Sequence, residues 1–300
     1  MLSFLFLFIQ FCSRMWVASF AQFLSSTAVV SSSFSSLPSQ LYFNEDELAS
    51  AHVMVVRLSD RMLLYRKQEE DRIYPASLTK IMTALVALDS GVDLETRVRM
   101  DENQYSSLLQ QKASMTGLDP GEDVTVLDLL YGVLLPSGAD ASVTLAQVLS
   151  GSEEQYVMLM NKKAKELGMT HTHFDNVTGL HSATHFTTVR DLVVLFETAL
   201  KEPIFREIIS RPQYQTTGSL VHQNGVSLQS TLFFYQQQYF MNFYGLLGGK
   251  TGYTPQAGLC LASWFHKNGQ QYLMVTAQAL KEEDQYPPLE DVQMVYQRLP

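Results

Sequence analysis

A chain of 300 residues with 46 % hydrophobic and 17 % charged residues can bury a sizeable core as one large or two modest domains, which excludes a disordered polymer. Its net charge of −9 comes without a basic patch, which argues against a nucleic-acid binder. Two cysteines, Cys12 and Cys260, exclude a disulfide framework.

The first predicted element is a leader. Residues 2–9 are apolar, Arg14 interrupts, residues 16–30 are apolar and small, and a Ser-rich stretch with Pro38 closes the segment. This reads as an export signal or signal anchor plus linker over residues 1–40, although no basic residues precede the first apolar run. Gln10 and Phe11 are too bulky for a lipoprotein anchor on Cys12. No later run reaches bilayer-spanning length, so residues 41–300 are expected to form a soluble body delivered outside the cytoplasm.

Residues 52–58 and 62–66 alternate around the turn signal Ser59-Asp60 and predict a hairpin. Tyr74-Pro75-Ala76-Ser77 leads into residues 78–88, apolar on every side and stopped by Gly91, which predicts a central buried helix. Helical patterns follow over 123–135, 139–149, 153–167 and 188–200, the first two separated by Pro136-Ser137-Gly138. From about 213 the pattern returns to strands: 250–254, then 258–265 and 271–278 around Lys267-Asn268-Gly269, the strongest short-range hairpin signal. Residues 290–298 predict a closing helix. Cys260, inside the apolar run 258–265, reads as a small buried hydrophobe. Strands at both ends with helices between predict an α/β architecture: an antiparallel sheet from the two termini, flanked by helices, with a helical subdomain over roughly 92–212 inserted.

Three short motifs carry chemistry. Ser77-Leu78-Thr79-Lys80 places a hydroxyl and an ammonium one helical turn apart on one face. A serine needs an adjacent base to act as a nucleophile, and a lysine in an apolar helix can become that base if burial lowers its pKa. Ser137 stands on a tight connection between two apolar helices. There it can relay a proton or cap the helix that follows. Lys250-Thr251-Gly252 offers an ammonium and a hydroxyl for a carboxylate, with a glycine that lets substrate backbone lie along the strand edge.

In this order the three resemble the motif set of serine penicillin-binding proteins and serine β-lactamases. Tyr74-Pro-Ala-Ser-Leu-Thr-Lys-Ile-Met-Thr-Ala84, Pro136-Ser-Gly-Ala-Asp-Ala141, Phe174-Asp-Asn-Val-Thr-Gly-Leu-His181 and Gly249-Lys-Thr-Gly-Tyr-Thr254 narrow this. Over roughly residues 45–280 the chain resembles D-alanyl-D-alanine carboxypeptidases of the penicillin-binding protein 5 type, peptidase family S11. The resemblance implies a β-lactamase/transpeptidase-like fold and no cofactor or metal. Ser77 would be the nucleophile that carries the acyl-enzyme, Lys80 the general base and Ser137 a proton relay. Lys250, Thr251, Gly252 and Gly138 would line the substrate, and the backbone N–H groups of Ser77 and Tyr253 would form the oxyanion hole. The partners implied are peptidoglycan stem peptides ending in D-Ala-D-Ala and β-lactam inhibitors.

Two departures stand out. The middle motif has Ala139 where the family has Asn, and Asp140 occupies the family's own Asp position. The chain stops at Pro300, before the β-rich domain and anchor helix of longer relatives, so membrane attachment is expected from the N-terminus. Three other readings compete. A serine β-lactamase would need a Glu-x-x-Leu-Asn segment that the sequence lacks. A zinc carboxypeptidase would draw on His171, His173 and Asp175 or on His181 and His185, which read better as surface or structural histidines. A wall-binding protein with a weakened site is the third. The aromatic stretch Tyr235, Tyr239, Phe240, Phe243 and Tyr244 reads as core packing or a folded loop rather than a groove wall.

Overall fold

The computed structural model describes residues 34, 41–44, 46–241, 243–281 and 285–300. The expected leader, Cys12 included, lies outside the described residues apart from Phe34.

Alternation along the strands produces a sheet with two covered faces. Strands β1 (His52–Arg57) and β2 (Met62–Lys67) form the first hairpin. Strands β7 (Leu246–Thr254), β8 (Gly258–Lys267) and β9 (Gln270–Ala279) come from the other end of the chain. All pair antiparallel in the order β2-β1-β9-β8-β7. Asn268 and Gly269 make the β8–β9 turn with φ of 49° and 75°, the backbone that an Asn-Gly pair tolerates best. Because β9 is central, residues 272–277 are buried on both faces. Met54, Val56, Ala262, Leu273 and Val275 enter one core. Val53, Val55, Leu261, Tyr272 and Met274 enter the other, as a two-residue side-chain period requires.

Helices cover each face. The first core takes α1 (Thr79–Asp89), buried from Thr79 to Ala87 as its all-round apolar sequence predicts. The second takes the last helix, through Leu289, Val292 and Val295. Between β2 and β7 the chain is mainly helical: α2 (Tyr105–Gln110), α3 (Val126–Leu134), α4 (Ala139–Ser150), α5 (Glu153–Glu166), α6 (Val189–Ala199), α7 (Pro203–Ile209) and α8 (Thr231–Gln238). Short ribbons, β3 (Arg97–Arg99) with β4 (Asp123–Thr125) and β5 (Gln213–Gln215) with β6 (Ser227–Gln229), interrupt it. Helix α9 (Pro287–Arg298) closes the chain.

Several elements differ from expectation, among them strand β3 and helix α2, which no pattern between residues 91 and 123 announced. Residues 123–125 pair with β3 as strand β4, and α3 starts only after Thr125, whose hydroxyl and the Asp128 carboxylate cap each other's backbone. Helix α7 was not foreseen. Helix α8 sits in the region after residue 213 that read as returning to strands, with its aromatic stretch as core packing or a folded loop; Ser230 caps it by accepting from Phe233 N. Its neighbourhood is mixed: Phe243 is buried and Tyr235 stacks on Tyr286, whereas Phe240 and Tyr244 are exposed.

Candidate active site

A one-turn 3-10 helix, Ala76–Leu78, follows Pro75 and runs directly into α1. It puts half-buried Ser77 and Lys80 one turn apart. Lys80 Nζ lies 3.2 Å from Ser77 Oγ and donates to the Thr178 carbonyl at 2.6 Å. Only 2 % of Lys80 is exposed. Burial outweighs the opposing pull of Asp140 and lowers its pKa to about 7. A desolvated ammonium of this kind loses its proton near neutrality, so the hydroxyl faces a group able to accept its proton.

The carbonyl that Lys80 meets is set by a side chain. Asn176 Oδ1 accepts from Thr178 N at 3.1 Å, Thr178 Oγ1 at 3.0 Å and Gly179 N at 2.7 Å, and its Nδ2 donates to Leu180 O at 2.9 Å. This local turn brings Gly179, at φ +83°, against the residue before the nucleophile. A Cβ there would stand 1.9 Å from the Ala76 carbonyl oxygen. Ala76 itself sits at φ +46°, uncommon for a residue with a Cβ. Gly179→Ala therefore collides with the nucleophile turn as well as taking an unfavourable φ. It is expected to cost about 3 kcal/mol and lower the thermal unfolding midpoint by about 6–12 °C, measurable by calorimetry.

The connection between α3 and α4 carries the second motif. Ser137 has φ +66°. Its hydroxyl is buried without a hydrogen-bond partner among the described residues. It does not cap α4, because the N-cap is Gly138. A Cβ on Gly138 would meet Thr116 Cγ2 at 2.4 Å and Asp140 Oδ1 at 2.8 Å. Asp140 accepts from Thr116 N at 3.0 and 3.1 Å and from Thr116 Oγ1 at 2.5 Å, so its carboxylate is committed to holding that segment. Ala139 is buried, and its N–H donates to Ser114 O at 2.7 Å.

Strand β7 brings the third motif to the nucleophile. A Cβ on Gly252 would lie 3.1 Å from Ser77 N and 3.3 Å from Leu78 N, so the strand passes directly beside the nucleophile's backbone. Lys250 and Thr251 are both buried. Lys250 Nζ donates to Thr251 O at 3.0 Å, and burial together with the Lys80 ammonium pushes its pKa well below the lysine range. Thr251 Oγ1 lies 2.5 Å from Thr231 Oγ1 at the start of α8, whose N–H in turn donates to Leu135 O at the end of α3. Tyr253 is exposed, with its ring under Lys281 Nζ at 4.8 Å.

Ser77, Lys80 and the Lys250–Tyr253 strand therefore meet, though they are distant in sequence, and Ser137 lies buried on the neighbouring connection. Asn176, Thr178, Gly179 and Thr231 were given no role from the sequence; the first three lay within Phe174–His181, a stretch that carried the family resemblance. Among the described residues no group of three or more His, Cys, Asp or Glu side chains could hold a metal ion. His173 pairs with Asp175 at 3.1 Å, and His181 packs edge-on against Tyr74. Cys260 is buried, its thiol pushed up to about 12 by burial. No described helix is long and apolar enough to cross a membrane.

Comparison with known proteins gives a consistent picture. The Peptidase S11 family model, D-alanyl-D-alanine carboxypeptidase, matches residues 39–280. The D-alanyl-D-alanine carboxypeptidase DacF of Bacillus subtilis is 35 % identical over 232 residues, which are 76 % of this chain and 56 % of that protein. The D-alanyl-D-alanine carboxypeptidase of Streptomyces sp. strain K15 is 33 % identical over 66 % of this chain and 70 % of its own length. The crystal structure of the Streptomyces K15 DD-transpeptidase superposes with a TM-score of 0.74 at 25 % identity, covering 85 % of this chain and 97 % of that one. The D-alanyl-D-alanine carboxypeptidase structure from Mycobacterium tuberculosis gives 0.74 at 27 % identity, covering 87 % and 95 %.

Proposed function

Since the chain belongs to the D-alanyl-D-alanine carboxypeptidase family, Peptidase S11, we propose that it is a serine carboxypeptidase that removes the terminal D-alanine from peptidoglycan stem peptides. The observation that carries this is the 3.2 Å contact between Ser77 Oγ and a buried Lys80 whose pKa is lowered to about 7, beside a strand that carries a buried lysine and threonine past the nucleophile.

Ser77 Oγ attacks the carbonyl between the two D-alanines while its proton passes to the Lys80 lone pair. The carbonyl oxygen becomes an oxyanion held by the N–H groups of Ser77 and Tyr253; the closeness of Gly252 to Ser77 N supports this placement. The C–N bond then breaks. The leaving amine takes the proton from Lys80 by way of Ser137, a role its buried, unpaired hydroxyl suits. Water releases the shortened peptide from Ser77. Gly252 lets β7, and substrate backbone along it, lie close to the nucleophile turn, whereas Gly138 is a glycine because Thr116 and Asp140 occupy the space a Cβ would need. Lys250 and Thr251 hold the terminal carboxylate, whose negative charge favours the ammonium form of a lysine that burial alone would neutralise. The same groups would take the carboxylate of a β-lactam. The substrate lies in the cell wall, so the site of action is outside the cytoplasm, with residues 1–40 as the export signal or anchor and 41–300 as the catalytic body.

The test is release of D-alanine from a synthetic peptide ending in Lys-D-Ala-D-Ala, with intact mass measured after penicillin exposure. Release with a stable one-to-one penicilloyl adduct is expected; neither release nor adduct would end the proposal. Rapid nitrocefin turnover in place of a lasting adduct would favour a β-lactamase. Lys250→Gln is expected to raise KM for the peptide about 10- to 100-fold with a smaller change in kcat, read from initial rates.

A further inference from the structure

Segment 175–187 grips the nucleophile turn at several points. Val177 O accepts from Thr83 Oγ1, Thr178 O accepts from Lys80, and Gly179 abuts Ala76. Ile73 and Thr187 exchange backbone hydrogen bonds at 2.8 and 3.0 Å. One further contact reaches the turn from inside. His185, 2 % exposed, accepts at Nδ1 from the Asp175 N–H at 3.1 Å. Its Nε2 lies 2.8 Å from Thr79 Oγ1, and Thr79 Oγ1 donates to the Ala76 carbonyl at 2.8 Å.

Donor counting fixes every proton in this chain. A backbone N–H can only donate, so His185 Nδ1 is bare and Nε2 carries the hydrogen. The Thr79 proton goes to Ala76, so Thr79 Oγ1 accepts from Nε2–H. The result is a one-way relay: Asp175 N–H to His185, His185 to Thr79, Thr79 to Ala76 O. It ends on a residue whose φ is +46°, a conformation that persists only where surrounding contacts impose it. The next residue is Ser77.

We propose that His185 is a positioning residue for acyl transfer: as a neutral imidazole it orients Thr79, which fixes the Ala76 carbonyl and so aims the Ser77 hydroxyl at Lys80 and the substrate carbonyl. The inference rests on the acyl-transfer reading above. His185 is not a base in this arrangement, because neither ring nitrogen has a free lone pair. The charged and titratable groups around it are Asp175, which favours the imidazolium, and His173, His181 and Lys80, which oppose it. Burial dominates and holds the ring neutral, with a pKa down to about 4. An imidazolium would turn a second N–H toward the Asp175 N–H and break the relay at its first step. The ring also packs edge-on against Phe174, with centroids 5.6 Å apart, which leaves it little freedom to rotate.

The experiment follows the acylation rate with fluorescent penicillin, counted per molecule able to form the adduct, so unfolded protein does not enter. His185→Asn keeps an acceptor for Asp175 and loses the reach to Thr79; Thr79→Val removes the middle of the relay. Each is expected to slow acylation at saturating penicillin about 10- to 100-fold, the scale of a misaimed reactive group, with little change in the dissociation constant. The double variant is expected to be no slower than the worse single one. His185→Gln, which restores a donor at the Nε2 position, is expected to recover to within about threefold of wild type. Wild-type rates in either single variant, or losses that multiply in the double variant, overturn the proposal. If His185→Asn yields no competent molecules, Thr79→Val, an exchange of hydroxyl for methyl, decides alone. A wild-type chain that takes no adduct would instead remove the acyl-transfer reading together with this inference, whereas a labelled wild type with unaffected variants removes the inference alone.

Discussion

Ser77→Ala abolishes covalent labelling by fluorescent penicillin, removes the corresponding mass increment, and reduces D-alanine release by a factor on the order of 10⁶, the scale of deleting a serine nucleophile. No neighbouring hydroxyl is placed to replace it. Thr79 Oγ1 is engaged by Ala76 O and His185. Thr231 and Thr251 are engaged with each other. Ser137 stands on a separate connection, and among the described residues no base is hydrogen-bonded to its hydroxyl to activate it. The substitution removes one hydroxyl from a half-buried position and leaves Lys80 its bond to Thr178, so the unfolding midpoint should stay close to wild type and an inactive product can be read as a chemical loss. Labelling that persisted would mean that a different nucleophile forms the adduct. In the wild type the adduct should last, because the buried carboxylate on the neighbouring helix, Asp140, is held by three contacts to Thr116 and is not free to activate water.

How much of this was legible depended on the range of the forces involved. The nucleophile helix was readable because its apolar residues run all round and only Lys80 breaks the pattern; a lone buried ammonium marks itself in a sequence. The β8–β9 hairpin was readable because Asn268-Gly269 fixes its turn locally. The meeting of Lys250 with Ser77 was an expectation from motif order and family resemblance. What brings them together is the antiparallel registry of β7 on β8 and of β9 on β1, and no local signal encodes it. Ser137 could be read as a helix cap or as a relay. The structure takes the cap away from it: Gly138 must be the N-cap because Thr116 and Asp140 leave no room there for a Cβ. Part of that pressure comes from Thr116, more than twenty positions upstream. Helix α8 was missed because residues 231–238 show no clear apolar stripe and sit in a region read as strands and folded loop; the Ser230 cap and the burial of Leu232 hold the helix there. His185 was visible as a histidine and read as structural. Its partners, Thr79 and the Asp175 amide, become neighbours only after segment 175–187 folds over the turn.

Lys80→Met should lower the acylation rate about 10³-fold, within the range that a positioned general base supplies, while the chain stays folded. Methionine fills nearly the same volume and needs no solvation, so the cost of burying an ammonium disappears; against this, Thr178 O loses its donor, worth about 1–3 kcal/mol. The two effects oppose each other, and the unfolding midpoint should move much less than the rate. The pH dependence then identifies the base. In the wild type the working form of Lys80 is the neutral amine, whose fraction grows as pH rises through about 7. Acylation should therefore climb on the acid side with a midpoint near that value and level off above it. In Lys80→Met the residual rate should be flat across the same interval. His185 cannot produce this limb, because its own titration lies near 4, several pH units lower. A limb near neutrality that survived in Lys80→Met would assign the proton transfer to another group, and the 3.2 Å contact between Lys80 and Ser77 would then be a hydrogen bond that orders the cleft without accepting the nucleophile's proton.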